Sequence, residues 1–271
     1  MIGISKLYCG TVEPSDAIRY GRRSADLPSH LLQFSADKKP VVVWNATRAC
    51  NLRCVHCYAR ADERIHEKEL SHEEGLALLD DLAEFGVPVV LFSGGEPLVR
   101  PDLVELARYA VSKGMRAVIS TNGTLIDEER AARLHDVGLS YVGVSLDGME
   151  EVNDRFRGKK GAFRDAMNGI RNCREAGLKV GLRFTVNRMN VDEVPAIFDL
   201  LEAEEIPRVC FYHLVYAGRG SELMEEDLAP DETRRVVDLI MDRTRALHER
   251  GLDKEVLTVD NHADGPYVYL R

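Results

Sequence analysis

The 271-residue chain carries a formal charge of −9, with 45% hydrophobic and 30% charged residues. That balance is ordinary for one globular domain and argues against a phosphate-tracking surface, so nucleic acid is not an expected partner. No apolar run approaches the ~18 residues that cross a bilayer, and Met1–Gly10 lacks a signal-peptide layout. No membrane partner and a cytoplasmic location are therefore expected. There the six cysteines are expected to be metal ligands, catalytic groups or buried thiols rather than disulfides.

Residues 1–40 read as an N-terminal extension that packs on the main domain; they contain Tyr8-Cys9-Gly10 and the basic Arg19-Tyr20-Gly21-Arg22-Arg23. From residue 41, short β-branched runs alternate with helix-period segments. Strands are expected at 41–45, 87–92, 115–120, 141–146, 180–187 and 209–214. Helices are expected near 72–84, 102–112, 127–136, 162–175, 192–203 and 231–249. Ser71 followed by Glu74 reads as a capping box, and Asp127 as an N-cap. Gly86, Gly114, Gly138 and Gly177 stand just past helices. Six β-then-α units predict an α/β fold with a parallel sheet, curled into a partial (β/α)6 TIM-like barrel over 41–250. Residues 251–271 read as the start of a C-terminal segment. Ligands should gather at the C-terminal ends of the strands.

After the first expected strand comes Cys50-Asn-Leu-Arg-Cys54-Val-His-Cys57. Chance clustering of core cysteines is one reading, but three thiols in a polar loop are poor core design. Zinc is a second, although structural zinc takes four ligands and no fourth is spaced nearby. Three thiolates on a four-iron cube would leave one iron open to a substrate group. Cys9, Cys173 and Cys210 lack the spacing and read as ordinary cysteines.

The C-x3-C-x2-C spacing resembles the radical S-adenosylmethionine (SAM) superfamily. That resemblance implies the radical SAM type of barrel, a [4Fe–4S] cluster on Cys50, Cys54 and Cys57, and SAM chelated at the open iron. An electron from a low-potential donor would cleave the sulfonium, and the resulting deoxyadenosyl radical would take a hydrogen from substrate. Ser93-Gly94-Gly95-Glu96-Pro97 resembles the family's glycine-rich SAM motif, where two residues without side chains let backbone approach the ligand. Glu96 supports that turn or contacts the amine itself. Thr121-Asn122-Gly123 is a polar turn with either a structural or a substrate role.

Ser145-Leu146-Asp147-Gly148 and Asn153-Asp154-Arg155-Phe156-Arg157-Gly158 resemble a motif pair of the branch that includes peptide maturases and haem-pathway enzymes. By that resemblance Ser145 contacts SAM and Arg157 pairs with its carboxylate, chemistry suited to a guanidinium fork. His56 takes the position before the third cysteine where the family places an aromatic residue near adenine. Arg183 and Thr185 alternate on the fifth expected strand and could face the barrel interior.

The stretches Met1–Gly10, Leu31–Ser35, Val43–Asn45 and Phe211–Gly220 resemble enzymes of the sirohaem-dependent haem pathway, the didecarboxysirohaem deacetylases and their NirJ-type relatives. That implies a didecarboxysirohaem-like tetrapyrrole substrate losing two acetate side chains to give iron-coproporphyrin III. Cations for its carboxylates are, by charge alone, Arg19, Arg22, Arg23, Arg100, Arg188 and Arg219, each with a solvated surface role as the competing reading. His213 is either a group for the porphyrin iron or a propionate, or a satisfied turn histidine. Members of this branch carry an auxiliary [4Fe–4S] cluster in a C-terminal cysteine-rich segment. No cysteine follows Cys210, so that cluster is expected in a segment missing beyond Arg271. A radical SAM peptide maturase and a non-enzymatic cluster or tetrapyrrole carrier are the rival readings. The first would need a precursor-binding domain that 40 residues are too short to form; the second would not need the SAM motifs.

Overall fold

A computed structural model describes residues 1–11 and 39–271. Most of the expected N-terminal extension, with Arg19, Arg22, Arg23 and Leu31–Ser35, lies outside the described residues. The elements in chain order are β1 (Ile2–Gly3), α1 (Ile4–Cys9), β2 (Val42–Thr47), α2 (His72–Phe85), β3 (Val89–Gly94), α3 (Leu103–Ser112), β4 (Arg116–Thr121) and α4 (Glu128–Asp136). There follow β5 (Tyr141–Ser145), α5 (Glu150–Arg157), α6 (Ala162–Glu175), β6 (Val180–Val186), α7 (Val194–Ala203), β7 (Arg208–His213), α8 (Pro230–Glu249), β8 (Glu255–Val259) and α9 (Asp264–Leu270). The chain forms two compact units.

The larger unit comprises Lys39–Arg183 and Val215–Glu225. Its strands pair in parallel, β2 with β3, β3 with β4, β4 with β5 and β5 with β6. Alternation along each strand decides the faces. Val90, Phe92, Ala117, Ile119, Val142, Val144, Val180 and Leu182 are at most 1% exposed, and full burial of each large one contributes about 1.5–3 kcal/mol. Helices α3 and α6 contact β4 and β5, with α2 on α3 and α4 on α6. Gly75, inside α2, lets that helix close down: a Cβ there would sit 2.9 Å from the Trp44 ring and 3.0 Å from Leu106. Toward the C-terminal ends of the strands the alternate residues are small or polar, and register aligns Asn45 with Ser93, Ser120 with Gly143 and Ser145 with Arg183.

Local signals fold as the sequence indicates. Ser71 and Glu74 form the capping box of α2, and Gly86 closes it with φ +83. The Asp127 side chain accepts from the Arg130 N–H at the start of α4.

The smaller unit contains the described residues of Met1–Lys38 with Phe184–Leu214 and Glu226–Arg271. Here β7 pairs in parallel with β8, and β1 runs antiparallel to β8. Phe198 stacks on Phe211 at 5.5 Å, and α1 contacts both α8 and α9. Every expected strand and helix forms, and the α/β fold with a parallel sheet is as expected. The sequence did not signal β1, α1, α5, β8 or α9; the last two lie within 251–271. Among the described residues no helix is long and apolar enough to cross a membrane.

Candidate cluster and cofactor site

The motif segments all follow the C-terminal ends of strands in the larger unit. The cysteine loop leaves β2 and packs around a buried core of Cys50, Leu52, Ala61 and Ala162, against which Cys54 and Cys57 lie. Backbone N–H groups aim at two of the sulfurs, Leu52 at Cys50 Sγ and Ala61 at Cys57 Sγ, both at 3.4 Å. Arg157 Nη1 donates toward Cys54 Sγ at 3.6 Å, and Asn122 Nδ2 stands 4.0 Å from Cys50 Sγ. Each sulfur thus has a donor that would favour a thiolate ligand. Burial pushes the Cys50 thiol up to about 12, opposed by the Leu52 N–H. Burial raises the Cys54 thiol as well, opposed by the Arg157 charge.

The glycine turn after β3 is wedded to the cysteine loop. Gly95 N–H donates to Thr47 O and Glu96 N–H to Ala49 O, each at 2.8 Å. A Cβ on Gly94 would fall 2.1 Å from Thr47 O, and one on Gly95 2.2 Å from Ala49 O. The missing side chains therefore admit the protein's own backbone beside the cysteine loop. Gly95→Ala is expected to cost about 1–3 kcal/mol of stability by overpacking and to impair cluster retention; unchanged urea midpoint and iron content would contradict that.

Glu96 is fully buried. It accepts from Leu98 N–H at 3.1 Å, Thr121 Oγ1 at 2.8 Å and Asn122 N–H at 2.7 Å. Burial raises its carboxyl, and these donors oppose the rise. Of the two expected roles for Glu96, the structure places it in support of the turn. Asn122 extends the web to Asn51 Oδ1 at 2.8 Å, so Thr121 and Asn122 brace the cysteine loop.

Behind the loop lies a buried charged group. Asp147 is 0% exposed and pairs with Arg157 Nη2 at 2.5 Å and His56 Nε2 at 3.3 Å. Burial would lower the Arg157 pKa, but Asp147 and the Cys54 thiol outweigh it and hold the guanidinium charged. Burial lowers the His56 pKa, against the pull of Asp147. Both side chains, expected near SAM's carboxylate and adenine, lie against Asp147, with His56 also against the Phe156 ring at 5.6 Å. Asn153 Oδ1 in turn accepts from the Asp147 N–H.

Arg219 adds a second guanidinium, its Nε donating to Cys54 O at 2.7 Å and its Nη1 to Ala61 O at 2.9 Å. Two guanidiniums against one carboxylate leave surplus positive charge, which a buried site tolerates only beside an anion. A cluster with three thiolates is such an anion, and the donor set fits it. Among the described residues no three His, Cys, Asp or Glu side chains converge on one metal-ion position; thiolates on three different irons of a cube need not converge.

On the small-residue face, the Tyr58 hydroxyl donates to Asn45 Oδ1 at 3.0 Å and lies 3.4 Å from Ser93 Oγ. Ser145 is half-buried there, and Arg183 bonds Ser120; Thr185 O accepts from Asn190 Nδ2. The expected tetrapyrrole cations are dispersed. Arg100 forks onto Asp102 and donates to Ala46 O and Leu70 O, Arg188 pairs with Glu232, and Arg219 holds the cysteine loop. His213 bonds Asp264 at 2.8 Å. Sequence reasoning left Asn51, Tyr58 and Asp147 without roles, although Tyr58 directly follows Cys57 and Asp147 lies inside a quoted motif.

The cysteine loop, the glycine turn and the strand-end polar groups are the parts of a radical SAM domain, and residues 44–201 match the model of the Radical SAM superfamily. The chain belongs to that superfamily. Within it, all 271 residues align at 71% identity with the Fe-coproporphyrin III synthase of Methanosarcina barkeri, covering 68% of that protein. The pre-heme d1 synthase of Dinoroseobacter shibae is 42% identical over 230 residues, 84% of this chain and 57% of that protein. Among solved structures, Streptococcus suis SuiB bound to precursor peptide SuiA has a TM-score of 0.72 at 18% identity, over 96% of this chain and 57% of that one. At that identity the likeness is one of fold alone.

Proposed function

We propose that this chain is the radical SAM part of a haem-biosynthesis enzyme that removes two acetate side chains from 12,18-didecarboxysirohaem to give iron-coproporphyrin III. The observation that carries this reading is the 71% identity to Fe-coproporphyrin III synthase along the whole chain. When bound, the cluster and SAM supply an electron and a radical that abstracts hydrogen from the substrate. The chain's own residues hold the thiolates, neutralise their charge and brace the strand ends. Ser145 and Arg183, on the small-residue face, are the proposed SAM contacts. The electron comes from a low-potential donor, and the setting is cytoplasmic. The auxiliary cluster expected for this branch has no cysteine ligand within residues 211–271.

Beside the cysteine loop a cleft of about 810 Å³ is lined by Asn45, Arg48, Tyr58, Ile65, Lys68 and Gly94, among others. Its size is that of a small-molecule site. Tyr58 and Ile65 are 48% and 72% exposed, flat and apolar surface for a macrocycle, with Arg48 and Lys68 able to meet its carboxylates. Arg48→Glu with Lys68→Glu is expected to raise KM for the tetrapyrrole about tenfold, the worth of a charged hydrogen bond, with SAM affinity unchanged. An unchanged KM removes the cleft from the substrate path.

The test is anaerobic turnover with reconstituted cluster, SAM and reductant, reading deoxyadenosine and tetrapyrrole mass. Deoxyadenosine stimulated by didecarboxysirohaem, with mass falling by both acetates, is the expected result. Deoxyadenosine release indifferent to the tetrapyrrole would contradict it.

A further inference from the structure

The segment Val215–Glu225, in the same unit as the cysteine loop, is built to seize that loop's backbone. Arg219 makes three bonds to it: its N–H to Cys57 O at 2.9 Å, Nε to Cys54 O at 2.7 Å and Nη1 to Ala61 O at 2.9 Å. Gly218, at φ +60, brings the strap into contact, since a Cβ there would lie 2.3 Å from Cys57 O and 2.4 Å from Tyr58 O. At the outer edge Arg60 donates to Gly218 O and pairs with Glu222, an exposed ion pair that adds little. Arg219 is different in kind. Its planar fork fixes the spacing of two carbonyls seven residues apart, one of them on a ligand cysteine, which a single ammonium cannot do. Its Nη2 is buried without a hydrogen-bond partner, so part of its charge is held inside the cysteine loop's packing.

We infer that Arg219 is the positioning residue of the cluster site: it presets Cys54 and Cys57 for the irons and raises the cluster's reduction potential by its charge. This rests on the cluster assignment above. Reduction adds negative charge to the cluster, and a nearby half-buried cation favours that state; removing the cation makes the cluster harder to reduce. Arg219 touches neither SAM nor substrate in this account.

The experiment uses Arg219→Lys and Arg219→Gln, each reconstituted anaerobically beside the native chain. Iron release to a chelator and the midpoint potential from an EPR-monitored titration are read, with circular dichroism on the cluster-free proteins to establish folding. Arg219→Lys should keep its charge and a near-native midpoint while releasing iron about tenfold faster, as loss of an outer-shell partner does. Arg219→Gln should release iron at least as fast and show a lowered midpoint. Native iron retention in both variants overturns the positioning role, and a native midpoint in Arg219→Gln overturns the electrostatic one. If Arg219→Gln fails to fold, the lysine variant alone decides: native retention there overturns the inference. A native chain that takes up no iron would refute the cluster reading itself.

Discussion

Asp147→Asn is expected to lower folding stability by about 3–5 kcal/mol, the cost of leaving a buried charge without its partner. The substitution is close to isosteric, so the loss is electrostatic rather than a cavity effect. Arg157 is 7% exposed, its guanidinium paired with Asp147, and its Nε has no hydrogen-bond partner. An amide can still accept one hydrogen bond but cannot offset the charge. With Arg219 nearby, two guanidiniums would then stand against no carboxylate. His56 beside Asp147 does not compensate, because burial lowers its pKa and removal of Asp147 lowers it further. The loss should be greater in the cluster-free chain than in the loaded one, since the anionic cluster supplies part of the missing charge. Urea unfolding of both forms measures this, and a change under about 1 kcal/mol in the cluster-free chain, the scale of a surface pair, would mean that the group is hydrated and the charge argument fails.

The second large effect is on the cluster. Cys54→Ser should abolish the iron–sulfur absorption and SAM cleavage while leaving the fold intact. Cys54 is the sulfur facing Arg157, and it lies against the buried core of the loop rather than within it. An uncharged hydroxyl is a poor iron ligand and leaves a second iron exposed to water. By contrast, Cys173→Ser touches a sulfur buried on α6, outside the cysteine loop, and should cost stability alone. Iron analysis and deoxyadenosine release separate the two. Full iron occupancy in Cys54→Ser would remove that residue from the ligand set.

The sheet was legible because its strands are buried on one face and bounded by glycine turns. Runs such as Val87–Phe92 and Val180–Asn187 read as strands without any knowledge of their neighbours. Element α5 was missed because Asn153–Gly158 reads as a polar motif; its helical character comes from burying Asn153, Phe156 and Arg157, which only the packed structure shows. β1 is two residues long and exists through pairing with β8, a contact about 250 residues away that no local pattern encodes. In the site, spacing located the three cysteines and the glycine turn, but not the contact between them. Gly94 and Gly95 were read as letting backbone approach a ligand, and in the structure they also lie against Thr47 O and Ala49 O. Arg157 and Arg219 carry charge that suits any anion; their contacts with Asp147 and with the carbonyls of Cys54 and Ala61 show only in the folded chain.

The proposed chemistry depends on a four-iron cluster held by Cys50, Cys54 and Cys57, with one iron left open for SAM. The direct measurement is EPR of the anaerobically reconstituted, reduced chain with and without SAM, alongside iron analysis. Four irons per chain in this cluster, with a signal that shifts when SAM is added, is the predicted result. Stoichiometric zinc in place of iron, or a four-iron signal indifferent to SAM, would contradict it.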